Sequence, residues 1–333
     1  ADTEDGVNLP DVWVENTGLT WDAETSAALC QRFADSWPNE SLPLAGCEPR
    51  LQLDGLLFHN SEEGEERVVA ATWHGIGEGQ IHRVWMPEHD TVAGRIAESP
   101  NEVVIDAHAA EALKIEVGAT VSLGAGGGQH DFTVVGIGYH AAHLYFAEQG
   151  SLFPANEGSM VTGYLTAEGL ERLSSYDPGT ANFLLLDVMG TPDYDLQSTP
   201  EAEGTELAAI VETLSTMVGT EAESPVRVYD RSSVQSVEFL RADAEGAKVT
   251  FPYITGMLIL IAGITIFLSL QRLIQSQARE IAILRTLGIG RKTIMPAYVI
   301  APVFIGIIGA GIGLLLGLYV GAPGMRGMYE DII

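Results

Sequence analysis

Lysine is nearly missing from this 333-residue chain: Lys114, Lys248 and Lys292 are all it has. Lysine and arginine together number 17 against 45 acids, a formal net charge of -28. A surface this acidic repels phosphate backbones, which excludes nucleic acid as a partner. It fits either salt adaptation or a soluble head kept monomeric by its own charge. Cysteine is scarce too. With only Cys30 and Cys47 there is no disulfide framework; the two either bridge, in an oxidising compartment, or stay as separately buried thiols. The pattern GxxxxGK[ST] does not occur, so the chain has no phosphate-cradling loop and hydrolyses no ATP of its own. There is no HExxH. His140 and His143 stand three apart with His130 nearby, but no spacing fixes a third ligand, and the expectation is solvent-exposed histidines rather than a metal site. Carboxylates are too abundant for one acid–base pair to stand out. The reading is therefore a non-enzyme with no catalytic residues, no metal and no resident cofactor. No signal-peptide pattern opens the chain at Ala1-Asp2-Thr3-Glu4, and the expectation is trimming or a missing upstream segment.

What the chain does have is a sharp division. From Phe251 onward there are six basic and three acidic residues, which leaves eleven against forty-two before it, out of 17 and 45 in all. Ile254–Leu270 is uncharged and reaches twenty residues when extended back to Phe251, enough to cross the hydrocarbon core of a bilayer. Ile294–Gly321 is a second uncharged run. Residues 251–274 therefore read as a transmembrane helix with an inward extension and 294–321 as another. Residues 275–293 between them carry Arg279, Arg285, Arg291 and Lys292 against Glu280 alone. Short loops rich in arginine and lysine stay in the cytoplasm. That places residues 1–250 and the tail 322–333 outside a cell membrane crossed more than once. Gly309, Gly313, Gly317 and Gly321, each four apart, predict a smooth stripe for close helix packing.

Within the loop, Ile281, Leu284 and Leu287 share a helical face with Ile283 nearby, and Gly288 and Gly290 end the helix. The string Arg279-Glu280-Ile281-Ala282-Ile283-Leu284-Arg285-Thr286-Leu287-Gly288, followed by Arg291-Lys292, resembles the REIAILRALGASRRQI signature of FtsX-like permeases. In that family this stretch joins two membrane helices and faces the partner ATPase. The resemblance thus implies coupling roles for Arg279, Glu280, Ile283, Leu284, Arg285, Leu287 and Gly288; the arginines and Glu280 suit a polar docking surface, and the leucine and isoleucine face suits an apolar cleft or the lipid boundary.

Residues 1–250 alternate strand-like and helical runs, an α+β pattern. Strands are predicted at 51–58, 67–73, 100–106, 117–123, 132–137, 182–188 and 226–229. Helices are predicted at 22–33, capped by Thr20 or Asp22, and at 107–113, 166–173, 205–217 and 231–250, the last a stalk into the membrane. The glycine run at 124–128 lies between two strands and reads as a hairpin turn rather than a nucleotide loop. The passage EVVIDAHAAEALKIEVGATVSLGAGGGQHDFTVVGI, introduced by Gly94-Arg95, is similar to the periplasmic core domain of MacB-type permeases. That similarity implies a porter-like α/β layer interrupted by a β-rich insertion, here about residues 75–163. It also implies one further membrane helix before the domain and one after the second span; neither is in this sequence.

Taken together, the resemblances imply a permease subunit of an ABC transporter. A separate cytoplasmic ATPase binds the ATP and moves the outer domain through the membrane helices, for export or extraction of a substrate. The expected partners are that ATPase, a second permease unit, membrane lipid, and an extracytoplasmic adaptor or hydrolase. The alternative is an FtsX-type signalling protein that regulates a cell-wall hydrolase. A membrane-anchored enzyme with a catalytic outer domain is a third reading, opposed by the lack of any nucleophile or metal constellation.

Overall fold

The computed structural model describes residues 8–18, 20–60, 66–77, 81–88, 90–140, 158–189, 200–219 and 225–324. The chain divides into two compact units, Ala1–Arg241 and Ala242–Ile333. The first unit holds strands β1 (Val12–Asn16), β2 (Leu44–Arg50), β3 (Gln52–Asn60), β4 (Glu66–Ile76), β5 (Ala93–Gly94), β6 (Glu102–Asp106), β7 (Thr120–Ala125), β8 (Gly128–Gly138), β9 (Met160–Thr166), β10 (Phe183–Val188) and β11 (Val226–Asp230). Its helices are α1 (Ala23–Asp35), α2 (Ala107–Leu113), α3 (Ala167–Ser174) and α4 (Pro200–Gly219). Helix α5 (Gln235–Ser276) runs on from it; α6 (Ala278–Thr286) and α7 (Arg291–Leu316) belong to the second unit.

Side chains of a strand point alternately to opposite faces, and the small sheet β11-β1-β10-β2 is buried on both. Val12, Val14, Leu184 and Leu186 pack with Phe33 of α1 and Ile210 and Leu214 of α4. Trp13, Phe183 and Leu185 face the other way, onto Leu9, Ile81 and Val234. This is why β10 reads as a continuous apolar run. Asp22 caps α1 by accepting from Thr25 N at 2.7 Å, and Thr166 caps α3 through Gly169 N at 3.1 Å.

The other strands close on themselves. β3 pairs with β4 and β7, β4 with β9, β9 with β6, β6 with β8, and β8 with β7. Closure leaves the six-stranded ring without an open edge. Gly126 and Gly127, at φ of 57° and 88°, form the two-residue turn between β7 and β8 that the glycine run predicted. Trp73 of β4 fills the barrel with no exposed surface and donates from its indole to Gly124 O at 3.2 Å. The strands beside it carry glycine for that reason. A Cβ on Gly163 would lie 2.6 Å from Trp73 Cζ3, and one on Gly55 would lie 2.5 Å from Trp73 Nε1 and collide with the Gly124 carbonyl. Gly55→Ala is expected to lower stability by about 3 kcal/mol, the upper range for overpacking a core. Gly246→Ala, where an added Cβ meets nothing within 4 Å, should be neutral or slightly stabilising. Chemical denaturation of both variants checks the contrast.

The barrel also explains the Gly-Arg pair at 94–95. Gly94 sits at φ 82°, and Arg95 makes two bonds to the Glu102 carboxylate, at 2.8 and 2.6 Å. Arg95 and the amides of Glu98 and Ser99 hold that carboxyl down at about 2.

Two features differ from the sequence expectation. The barrel strands start at Gln52 and end at Thr166, so the β-rich insertion is wider than 75–163: β1 and β2 precede it, β10 and β11 follow it, and together they make the small sheet. Strands β1 and β2 were also missed. β2 contains Gly46 and Pro49, which read against a strand, but it lies at the sheet edge, where proline is tolerated.

Candidate functional site

Helix α5 is 42 residues long and passes through Pro252 without a break. Its stretch Glu245–Ser276 and the later stretch Val303–Gly324 are long and apolar enough to span a membrane, with none of either buried by protein. Their exposed side chains include Leu258, Phe267, Phe304 and Leu315. An apolar helix with no protein cover is what a lipid-facing span looks like.

Between the spans stands α6. The chain leaves α5 at Ser276 and restarts at Ala278. Glu280, Ile283, Leu284 and Leu287 fall at i, i+3, i+4 and i+7 and so line one side. Leu284 and Ile281 are half-buried, whereas Ile283 and Leu287 are 52% and 73% exposed. Arg279, Glu280, Arg285 and Gly288 are exposed. The stop is a Schellman motif: Gly288 N donates to Arg285 O at 3.1 Å and Ile289 N to Leu284 O at 3.2 Å. It needs the left-handed backbone that Gly288 adopts at φ 84°. All seven expected coupling residues thus lie on one short helix and its cap, where Ile283 and Leu287 stay exposed and Leu284 is partly covered.

An added Cβ at Gly309, Gly313 or Gly317 would meet nothing within 4 Å. The turn Gly317–Gly321 is π-helical. That i→i+5 turn takes Gly321 out of line with the other three, so the expected stripe of four runs straight only through Gly309, Gly313 and Gly317.

In the first unit, Cys30 of α1 and Cys47 of β2 form a disulfide with a Cα–Cα distance of 5.6 Å. Of the two alternatives open in the sequence, the structure takes the bridge. Reduction, or Cys30→Ser, is expected to remove about 3 kcal/mol, as closing a loop of this length contributes. That corresponds to roughly 6–10 °C in Tm for a head of this size, read by thermal scans with and without reductant.

Two buried polar clusters lay outside the sequence reading. Arg231, at the end of β11, places Nη2 3.3 Å from Asp11 Oδ1. The other Asp11 oxygen accepts from Val188 N at 2.7 Å, and Arg231 N donates to Asp11 O at 3.1 Å. This clasp ties β11, just before α5, to the sheet. The second cluster corrects the expectation of exposed histidines. His140 is fully buried beside His74 and His82, whereas His130 is exposed and His143 lies outside the described residues. Among the described residues no group of three or more His, Cys, Asp or Glu is arranged to hold a metal ion.

Two bilayer-length apolar helices linked by a short exposed helix, after a mixed α/β head in the sequence, define an integral membrane protein. Residues 253–325 match the model of the FtsX-like permease C-terminal family. No curated protein matches the chain. Among solved structures, the periplasmic region of MacB from Actinobacillus actinomycetemcomitans is similar at 11% identity and a TM-score of 0.38, covering 71% of this chain and 96% of that one. The extracellular domain of the noncanonic ABC-type transporter YknZ from Gram-positive bacteria is similar at 14% identity and a TM-score of 0.35, covering 66% of this chain and 99% of that one.

Proposed function

We propose that this chain is the permease subunit of an ABC-type assembly, in which a separate cytoplasmic ATPase grips α6 and the head works on the other side of the membrane. The observation that supports it most is the solitary helix Ala278–Thr286 between two spans. It displays Ile283 and Leu287, with Arg279, Glu280 and Arg285 exposed on the same short helix. Such a face is the pattern of a helix that lies in a partner's groove. The loop's arginines favour the cytoplasmic side, and the Cys30–Cys47 bridge suits a head in an oxidising compartment. In this reading ATP-driven closure of the ATPase pair displaces α6. The spans carry that displacement to the head, a rigid-body switch rather than a chemical step. A second permease unit would pack along Gly309, Gly313 and Gly317.

Topology decides the matter. Single cysteines placed at Arg285 and at Asp54, in a background with Cys30 and Cys47 replaced, are expected to react with an impermeant maleimide from opposite sides of the membrane. Labelling of both from the same side would reject the reading. Co-purification of an ABC ATPase with the intact chain, lost on deletion of 279–288, is the companion result.

A further inference from the structure

Asn39-Glu40-Ser41 has the N-x-[ST] pattern of an N-glycan acceptor. It is the one such triplet in the sequence: Asn8, Asn16, Asn60, Asn101, Asn156 and Asn182 all lack serine or threonine two residues on. A triplet alone carries little, since serine and threonine are common residues. Its placement in the head carries more.

The triplet lies in the loop between α1, which ends at Asp35, and β2, which starts at Leu44. The Trp37 indole donates from Nε1 to Leu42 O at 2.6 Å, and Leu42 is buried. That bond closes the base of a short excursion, residues 38–41. The Cys30–Cys47 bridge brackets the same stretch further out along the chain. Pro38, Glu40 and Ser41 are exposed and Asn39 is half-buried. The loop is thus pinned at its base and exposed at its tip, the surface setting that an acceptor asparagine needs.

The asparagine amides divide by what they hold. Asn182 donates from Nδ2 to Gln52 O at 2.7 Å and accepts from Gln52 N at 2.8 Å, which ties the barrel to the start of β10. Asn101 accepts from Arg172 of α3, and Asn8 donates from Nδ2 to Asp187 at 3.5 Å. Each joins distant parts of the head. Asn39 does not. Its Oδ1 accepts from Ser41 N at 2.9 Å, an Asx turn inside the triplet, and its Nδ2 donates to nothing among the described residues. The turn brings Ser41 back beside Asn39 and leaves the amide nitrogen to a group from outside the chain.

We propose that Asn39 is an N-glycosylation site, to which a transferase on the outer face of the membrane attaches an oligosaccharide. The donor is an oligosaccharide linked to a polyprenyl phosphate. Asn39 Nδ2 forms a bond to the anomeric carbon of the first sugar, and the bond from that carbon to the phosphate oxygen breaks. The polyprenyl phosphate leaves with the electron pair, and the amide gives up one proton. The Ser41 hydroxyl is the group that the transferase reads two residues on, and it stands exposed. The attached sugar is a bulky, solubilising group on the loop that the disulfide brackets. The proposal rests on the head's lying outside the membrane.

The test takes the full chain from the membranes of the cells that make it. Residues 33–50, one tryptic peptide after reduction, are analysed by mass spectrometry. The expected result is a peptide heavier by one oligosaccharide, placed on Asn39 by fragmentation. Asn39→Gln and Ser41→Ala, made in the same cells, should each abolish the increment, whereas Ser41→Thr keeps the hydroxyl and should retain it. Ser41→Ala leaves the backbone N–H to which Asn39 is bonded and removes no buried contact, so this variant should still unfold cooperatively; its loss of sugar is then not a loss of fold. An unmodified peptide from the native chain, or an increment that survives Ser41→Ala, would overturn the proposal. Maleimide labelling at position 54 separates the two ways to fail. A bare Asn39 in a head that labels from outside removes this site and leaves the topology standing, whereas a head that labels from the cytoplasm removes both.

Discussion

Asp11→Ala is expected to destabilise the head by about 3–5 kcal/mol, the range for removing one partner of a buried ion pair. Asp11 and Arg231 are exposed by only 3% and 9% at their side chains. Burial makes the pair strongly dependent on its geometry, because a guanidinium kept from water without the carboxylate facing it bears most of its desolvation penalty. The same substitution takes away the acceptor for Val188 N, a buried donor at the end of the central strand β10. Asp11→Asn keeps an acceptor there and loses the charge, so its effect should be smaller. In the double variant Asp11→Asn/Arg231→Met the buried cation is gone as well, and stability should recover by 1 kcal/mol or more, roughly. Urea denaturation of the four proteins tests this series. Equal stability of Asp11→Ala and the native protein would mean that the clasp does not hold β11 to the sheet.

How much of this was legible beforehand depends on sequence separation. Local signals read well. Helix α2 spans Ala107–Leu113 as predicted, because Asp106 supplies its cap at 3.0 Å to His108 N and Lys114 ends it in a left-handed turn. The two spans and the helix between them are matters of composition and period over fewer than thirty residues each, the range in which hydrophobic patterning is most informative. The disulfide stayed open, since two cysteines in a sequence do not reveal whether their Cα atoms come within reach.

The two buried polar clusters were not legible at all. Asp11 and Arg231 are 220 residues apart, and nothing local to either announces the other. His74, His82 and His140 come together only because the barrel closes: β4 lies beside β9, β9 beside β6 and β6 beside β8. The i, i+3 spacing of His140 and His143 says nothing of His74 and His82, the rings that His140 meets. Gly55 and Gly163 read as strand-weakening residues, yet they mark where Trp73 needs space. In each case the missing information is strand order, which short-range pattern does not contain.

The second large effect belongs to α6. Leu287→Asp, with a side chain that is 73% exposed in the native protein, should leave the folded chain intact, because it removes no buried contact. If the proposed docking holds, it should weaken association with an ABC ATPase about 30-fold or more, the scale of a central apolar anchor in an interface, near 2 kcal/mol. Ile283→Asp, 52% exposed on the same side, should behave alike. Arg279→Glu reverses a rim charge and should act mainly on the rate of association and its salt dependence. Gly288→Ala separates recognition from geometry: it keeps the apolar side but strains the turn at φ 84°, so its effect should come from misplacing Leu287 and should remain when salt is raised. The measurements are ATPase binding by surface-immobilised permease in detergent, and ATP turnover of the assembled complex in nanodiscs, alongside Tm of the head. If Leu287→Asp and Ile283→Asp bind and turn over as the native chain does, α6 is a lipid-lying helix, and the motor must engage the permease elsewhere.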